Sequence, residues 1–332
     1  MAFSDTVKKF IPSSLSHLIT RVKYEKAFHG WVKFWERRDL IFCNGSNSKE
    51  SLEYNIISTA HVLEKGIAMP NRRYGFGYDK VRTLLRQLTR YEEEYSTLDC
   101  FGCLSALDTL GEYYQIHQDA GFALPKDIDL TIATILKKHA WERKERKTFF
   151  SKVQFFGSFD SFTSFAGQRH SVRNFSDKEI DIDLIIDAIR VAQMAPSACN
   201  RQSTRVKIFA SKEMISKMLD LQNGSRGFGH LANKLLLITA DQYAWELKYR
   251  TSAFLDAGIF IMNLLYALHE RGICACTLNA HFDQDKLKAV WSSYCPQNEV
   301  PVAVIILGMP LDQFQVVYSE RRDVKDVVEV IR

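Results

Sequence analysis

A change of periodicity near residue 160 constrains the fold more than any other feature of this chain. Before it, apolar residues recur at helical spacing, as in Leu84, Leu85 and Leu88 or Ile128, Ile132, Ile135 and Leu136, the stripe that a half-buried helix requires. From about Ser16 to Lys152 no stretch reads as a strand, and turns fall at Cys43–Ser46, Met69–Asn71 and Gly121–Pro125, where Gly, Pro and Asn suit reversal of the backbone. After it, short β-branched runs alternate with helical ones. Strands are expected over Val206–Ala210, Leu235–Thr239, Ile273–Leu278 and Val302–Leu307, and helices over Ile182–Met194, Lys212–Leu221 and Ala253–Arg271. Gly272 should stop the last helix, in the position where glycine takes positive φ. The Phe-rich stretch Gln154–Gly167 separates the two regimes. Two units are expected, an all-helical region over 1–155 and a mixed α and β region over 156–332.

The bulk composition permits both. With 332 residues, 46% hydrophobic and 25% charged, the chain has material for two cores. Lys and Arg total 44 against 39 Asp and Glu, and the excess is scattered, unlike the concentrated basic surface that nucleic acid demands. The densest basic run, Lys137–Lys147, is broken by Trp141, Glu142 and Glu145, as on a solvated helix face. The seven cysteines are an odd number, and Lys8 and Lys9 precede only Phe10 and Ile11, so a reducing, cytoplasmic setting is expected. Cys100-Phe-Gly-Cys103 has redox or metal spacing, but no second pair and no following His pair accompanies it. No metal is therefore expected, and these thiols read as buried ones. No run reaches the ~18 consecutive apolar residues of a membrane span. The basic, aromatic first forty residues, with Trp31, Lys33, Phe34 and Trp35, suit an amphipathic surface helix or a face packed on the rest of the chain; the second is the expectation.

Two segments carry chemistry. Arg169-His170-Ser171-Val172-Arg173 places two guanidiniums and a hydroxyl within five residues, a donor set for a phosphate. Farther on, Ala195-Pro-Ser-Ala-Cys-Asn-Arg-Gln202 follows an apolar helix. Pro196 ends that helix, small residues let the backbone approach a ligand, and the Asn and Gln amides offer donors and acceptors to a heterocycle edge.

Together these segments resemble the nitroreductase family, whose chains open with Arg-x-Ser-[Ile/Val]-[Arg/Lys], then a helix, then Ala-Pro-Ser-x-x-Asn-x-Gln. The strand Leu235–Asp241, the helix from Asp256 to Gly272, the strand Ile273–Asn279 and Val302–Pro310 followed by Arg321-Arg322 are similar to later family landmarks and come in the same order. The resemblance implies an α+β fold, a mainly antiparallel sheet flanked by helices, in a homodimer with the long helix at its centre and FMN between subunits. It implies that Arg169, His170 and Ser171 hold the FMN phosphate with Arg321 or Arg322, and that Arg173 lies near flavin N1 and O2, stabilising the reduced anion. Ser197, Asn200 and Gln202 would line the ribityl chain and ring edge, and Cys276, Thr277 and Leu278 would present backbone groups to the ring. Cys199 and Cys276 are expected to be passive. Arg226, in the glycine-rich stretch Asn223–Gly229, would meet a substrate anion or lie in a solvent loop. Many relatives have Pro-Trp after the Gln, whereas Ser203-Thr204 stands here, so the pocket wall and substrate preference differ.

The first unit also has a resemblance. His61-Val-Leu-Glu64-Lys65-Gly66 and Met69-Pro-Asn-Arg72-Arg73-Tyr-Gly-Phe-Gly77 are similar to the helical extension of nitroreductase-like proteins encoded among bacterial surface-polysaccharide genes. His61, Glu64 and Lys65 read as an ion-pair cluster on one helix, and Arg72 and Arg73 are candidates for a lid or anion site. The implied activity is ping-pong: NADH or NADPH reduces FMN, NAD(P)⁺ leaves, and a small acceptor such as a quinone or nitroaromatic takes the electrons. No protein acid or nucleophile is required. The alternatives are a specialised flavoenzyme acting on a polysaccharide or nucleotide-sugar intermediate, and an FMN-binding interaction protein without turnover.

Overall fold

The computed structural model describes residues 49–143, 148–245, 251–280, 282, 284–296 and 298–332. The first forty residues and the turn at Cys43–Ser46 lie outside these, as do residues 144–147 of the basic run. Among the described residues the first unit has four helices: α1 (Lys49–Ile67), α2 (Tyr78–Tyr95), α3 (Phe101–Asp119) and α4 (Lys126–Lys138). The expected stripes face inward. Leu84, Leu85 and Leu88 of α2 meet Ile128, Ile132, Ile135 and Leu136 of α4 in one core, with Ile56 and Leu63 of α1 and Leu110 and Tyr113 of α3. The loop joining α1 to α2 is held from below by His117, fully buried on α3. The backbone N–H of Gly75 donates to His117 Nε2 at 2.9 Å and the ring's Nδ1 contacts the Tyr113 carbonyl at 2.7 Å. One nitrogen must accept and the other donate, so the ring is neutral in this arrangement, and burial holds its pKa below the ordinary value.

The second unit is built on a four-stranded sheet. Its strands are β2 (Thr204–Phe209), β3 (Lys234–Asp241), β4 (Cys274–Asn279) and β5 (Glu299–Gly308), in the order β2-β3-β5-β4 with every pairing antiparallel. The fold is thus α+β, as expected, and each predicted strand and helix of this half is present, with shifted ends in all but the helix Lys212–Leu221. Alternation divides the central strands between two cores. Leu235, Leu237, Val304 and Ile306 enter one, and Leu236, Ile238, Ile305 and Leu307 enter the other, as period-two side chains of a doubly covered sheet must.

Helix α7 (Ile182–Ala192) and the long helix α9 (Thr251–Glu270) cover the second face, and α8 (Lys212–Leu221) and α10 (Gln284–Tyr294) lie on the first. Helix α9 is apolar and long enough by composition to cross a membrane, yet one side of it packs on α7 and on β2, β3 and β4. Its end matches expectation: Gly272 has φ +72°, and the Ile273 N–H reaches back to the Leu268 carbonyl at 2.9 Å, closing the helix with a left-handed residue.

Two features depart from the sequence reading. A short strand β1 (Phe149–Ser151) lies where the periodicity predicts none, paired antiparallel with β6 (Gln313–Gln315). The Phe-rich stretch is not a bare linker either. It forms α5 (Lys152–Phe156) and α6 (Phe162–Gln168), and Phe155, Phe156, Phe159 and Phe165 surround His269 near the end of α9, with ring centroids 5.0, 5.0, 5.9 and 5.2 Å away. At the end of β5, a Cβ added to Gly308 would lie 2.2 Å from Phe175, which is buried in the sheet's first core. Gly308→Ala is therefore expected to destabilise the fold by about 1–3 kcal/mol, the usual cost of overpacking, read as a lower urea midpoint at unchanged m-value.

Candidate functional site

A cavity of about 390 Å³ opens where the two units meet. Residues 169–173 form its floor. This segment leaves α6 extended, and the Val172 N–H donates to the Ala275 carbonyl on β4 at 3.1 Å, while the Ser176 N–H donates to Met309 at 2.9 Å. Val172 and Phe175 enter the core. Alternation then directs Ser171 and Arg173 to the cavity, which they line with Arg169, His170 and Thr277. The chain returns to the same place after β6, where Val316 N–H bonds Thr148 at 2.8 Å, and Val317, Ser319, Glu320 and Arg321 complete the wall.

The opposite wall belongs to the first unit: Ile57, Ala60, His61 and Glu64 of α1 and Phe101 and Ser105 of α3. His61 Nδ1 lies 3.0 Å from Glu64 Oε2. Lys65, on the next turn from His61, is half-buried; burial and then the neighbouring Arg173 guanidinium lower its pKa.

Like charge accumulates here. Burial and then the Arg169 and Arg321 guanidiniums hold the His170 ring below the usual histidine value. Arg169 is lowered by burial, and Arg321 adds to the effect. The Nε atoms of Arg169 and Arg173 are buried and have no hydrogen-bond partner among the described residues. Arg173 lies over the Phe228 ring at 5.8 Å and donates to the Ser171 carbonyl at 3.4 Å. A buried donor without an acceptor costs roughly 1–3 kcal/mol, so this floor suits an anion with several oxygens, and the volume falls among small-molecule sites of ~300–1,000 Å³.

The amide-rich loop is elsewhere. Ser197 and Gln202 line a second cavity of about 430 Å³ beside α7, β2 and α9. Cys199, Asn200 and Gln202 all have positive φ (53, 54 and 50°), a region that non-glycine residues enter at a cost of about 1–3 kcal/mol. Three contacts hold the loop: the buried Asp256 carboxylate accepts the Ala198 N–H at 3.2 and 3.1 Å, Ser197 Oγ accepts the Gln202 N–H at 3.1 Å, and Arg201 lies over Trp245 at 4.7 Å. Gln202 Nε2 donates to Asn200 Oδ1 at 3.1 Å, so the two predicted amides are joined to each other.

The remaining candidates line neither cavity. Cys276 and Leu278 are buried in the sheet's first core, and burial pushes the Cys276 thiol upward, in keeping with a passive role. Arg322 leaves the wall to Arg321. It pairs with Glu53 of α1 at 2.9 Å and lies over Phe101 at 4.8 Å and Tyr54 at 5.6 Å. The same Glu53 oxygen accepts the Gly102 N–H at 3.0 Å. Arg226 is exposed beside Gly227, where an added Cβ would meet Met69 of the first unit at 2.4 Å. Arg72 and Arg73 stay in the loop tethered by His117. Sequence reasoning missed His61 and Glu64 as cavity residues, since charges at i,i+3 on one helix ordinarily form a solvated pair. The chain position of these residues carries no sign of which surface they meet.

Comparison with known proteins finds similarity in the second unit. Residues 166–225 match the model described as the nitroreductase family. A protein of Archaeoglobus fulgidus that carries the provisional name NADH dehydrogenase/NAD(P)H nitroreductase is 27% identical over 153 residues, 44% of this chain and 83% of that protein. A protein of Methanothermobacter thermautotrophicus with the same provisional name is 23% identical over 147 residues, 43% of this chain and 74% of that one. Among solved structures, a nitroreductase family protein of Streptococcus pneumoniae is 22% identical, covers 52% of this chain and 100% of its own, and superposes with a TM-score of 0.44. A provisionally named nitroreductase of Desulfovibrio desulfuricans, solved in complex with FMN, is 20% identical, covers 53% and 99%, and has a TM-score of 0.46.

The phenylalanine nest beside the cavity makes a pH prediction. Burial, and then Arg169 and His170, push His269 down from 6.5 to about 4. Above pH 6.5 the ring is neutral folded or unfolded and adds no slope. Between that value and about 4 the unfolded chain binds a proton that the folded chain refuses, so stability falls as pH falls. Unfolding titrations should show the native chain losing roughly 2–3 kcal/mol more than His269→Phe across this window; equal losses would contradict the assignment.

Proposed function

We propose that this chain, whose second half belongs to the nitroreductase family, is an NAD(P)H-dependent oxidoreductase that holds FMN at the seam between its two units. The observation that carries the reading is the convergence of Arg169, His170, Ser171, Arg173 and Arg321 on one cavity, with buried guanidinium nitrogens lacking acceptors among the described residues. When bound there, FMN supplies two-electron transfer between a pyridine nucleotide and a small oxidised acceptor such as a quinone or nitroaromatic. Arg169, His170, Ser171 and Arg321 would hold the phosphate through charge-assisted bonds. Arg173 and Lys65 would set a positive potential that favours the electron-rich ring. Thr277 would bound the cavity from β4. No side chain is assigned as nucleophile, and ping-pong kinetics are expected.

The working unit in this reading is a cytoplasmic homodimer. Phe254, Leu255 and Ile259 are exposed on α9, an apolar face suited to an isologous contact. Ser197, Asn200 and Gln202 lie away from the phosphate cluster of their own chain, so in a dimer they would serve the partner's cofactor. The placement of His61, Glu64 and Phe101 on the wall favours a second, narrower reading, in which the helical unit restricts the acceptor to a specialised biosynthetic intermediate. An interaction protein with idle FMN is the alternative to both.

The decisive test is the absorption spectrum of purified protein before and after anaerobic NADH and NADPH. Bleaching of a bound flavin band by at least one donor is expected; protein that binds FMN yet stays oxidised would leave the interaction reading. Arg169→Ala should weaken FMN binding by about 10- to 100-fold, the loss of one or two charged hydrogen bonds. Arg173→Gln should leave occupancy closer to native but lower the flavin midpoint potential, measured by dye equilibration.

A further inference from the structure

Outside the cofactor cavity, the first turn of α3 holds a pair of thiols that the proposed activity does not use. Cys100 is the residue preceding the helix, with extended backbone (φ −76°, ψ 155°), and its carbonyl accepts the Leu104 N–H at 3.0 Å. Cys103 lies one turn on. Cys100 is half-buried and Cys103 fully buried. The Cys103 thiol and the Tyr91 hydroxyl are neighbours of the Cys100 sulfur. Partial positive charge at the helix start favours its thiolate. This spacing also serves thiol redox chemistry, and no group of three or more His, Cys, Asp or Glu side chains suited to a metal occurs among the described residues.

We propose that Cys100 and Cys103 form a redox-active dithiol that closes to an intramolecular disulfide by exchange with a small-molecule disulfide. The Cys100 thiolate attacks one sulfur of R–S–S–R. That S–S bond breaks, and the first R–S⁻ takes the proton that Cys100 had released. Cys103 then attacks the Cys100 sulfur of the mixed disulfide, expelling the second R–S⁻, which takes the Cys103 proton. The protein loses two electrons and two protons, and two R–SH molecules gain them.

The division of roles follows from the surroundings. The neighbouring Cys103 thiol, with the Tyr91 hydroxyl, brings Cys100 down to about 6 against the opposing effects of burial and the Glu53 carboxylate. The neighbouring Cys100 sulfur, burial and Glu53 push Cys103 upward, and Lys49 opposes them. Glu53 is itself engaged by Gly102 and Arg322. The accessible sulfur is therefore the attacking thiolate, and the buried thiol resolves the intermediate. This inference does not depend on the flavin reading, and its test reads sulfur alone.

The full chain is equilibrated with glutathione disulfide, blocked with iodoacetamide, digested with trypsin and weighed. One peptide, Tyr91 to Lys126, carries these two cysteines and no others. The expected result is a peptide two hydrogens lighter than its reduced form and closed to alkylation, and reopened by dithiothreitol. A peptide that takes two alkyl groups after this treatment overturns the proposal. The Cys103→Ser variant should trap one glutathione on Cys100; no adduct in folded variant protein would also overturn it. At about pH 6, Cys100 of the reduced chain should alkylate roughly tenfold faster than an unperturbed thiol, since its thiolate fraction outweighs its lower intrinsic nucleophilicity, and an unperturbed rate counts against the assigned roles.

Discussion

Strands β3 and β5 bury both faces, and that single constraint decides where charge can stand in the second unit. Their alternating Leu, Ile and Val side chains fill two cores, so ionised groups must gather at the sheet's rim, because a charge without a partner in either core would cost several kcal/mol. Strand β4 is one rim of that sheet, and the segment after α6 joins it through Val172 and Ala275. The alternation that anchors Val172 in the core turns its neighbours Ser171 and Arg173 outward. The floor of the cavity is thus a by-product of how the sheet ends.

The first unit changes what that rim can be. A floor of guanidiniums open to water would be an ordinary basic surface, screened by salt. With α1 and the start of α3 laid across it, Arg169 and Arg173 keep buried nitrogens and Lys65 is drawn from solvent. Electrostatic effects strengthen in such an enclosed place. The wall also introduces a carboxylate and an imidazole, Glu64 and His61, so the cavity offers both signs of charge on opposite sides.

Much of this was legible in the chain, and the gaps have physical causes. Lys212–Leu221 is helical over the residues its periodicity marks, and Ile273–Leu278 lies within one residue of β4, since long apolar patterns fix element type well and ends less well. The strand at Phe149–Ser151 is three residues long and pairs with residues near the other end of the sequence, so no local pattern announces it. The arginine pentapeptide could be read as an anion site from residue types alone. That the amide loop stands in a separate cavity, or that Arg322 turns to Glu53 while Arg321 stays on the wall, depends on packing between distant segments. The same holds for Cys100 and Cys103, whose spacing admits inert and reactive forms, and whose unequal burial separates them.

Glu53 links events that the primary structure keeps far apart. One of its oxygens terminates the amide row of α3 at Gly102 and receives the guanidinium of Arg322 from the opposite end of the polypeptide. Detaching that terminal segment would leave the carboxylate without its counter-ion next to Cys100, raising the local negative potential where a thiolate forms. Occupancy of the tail and acidity of the thiol are therefore joined through one shared atom, a mechanical connection between the chain's last stretch and its sulfur chemistry.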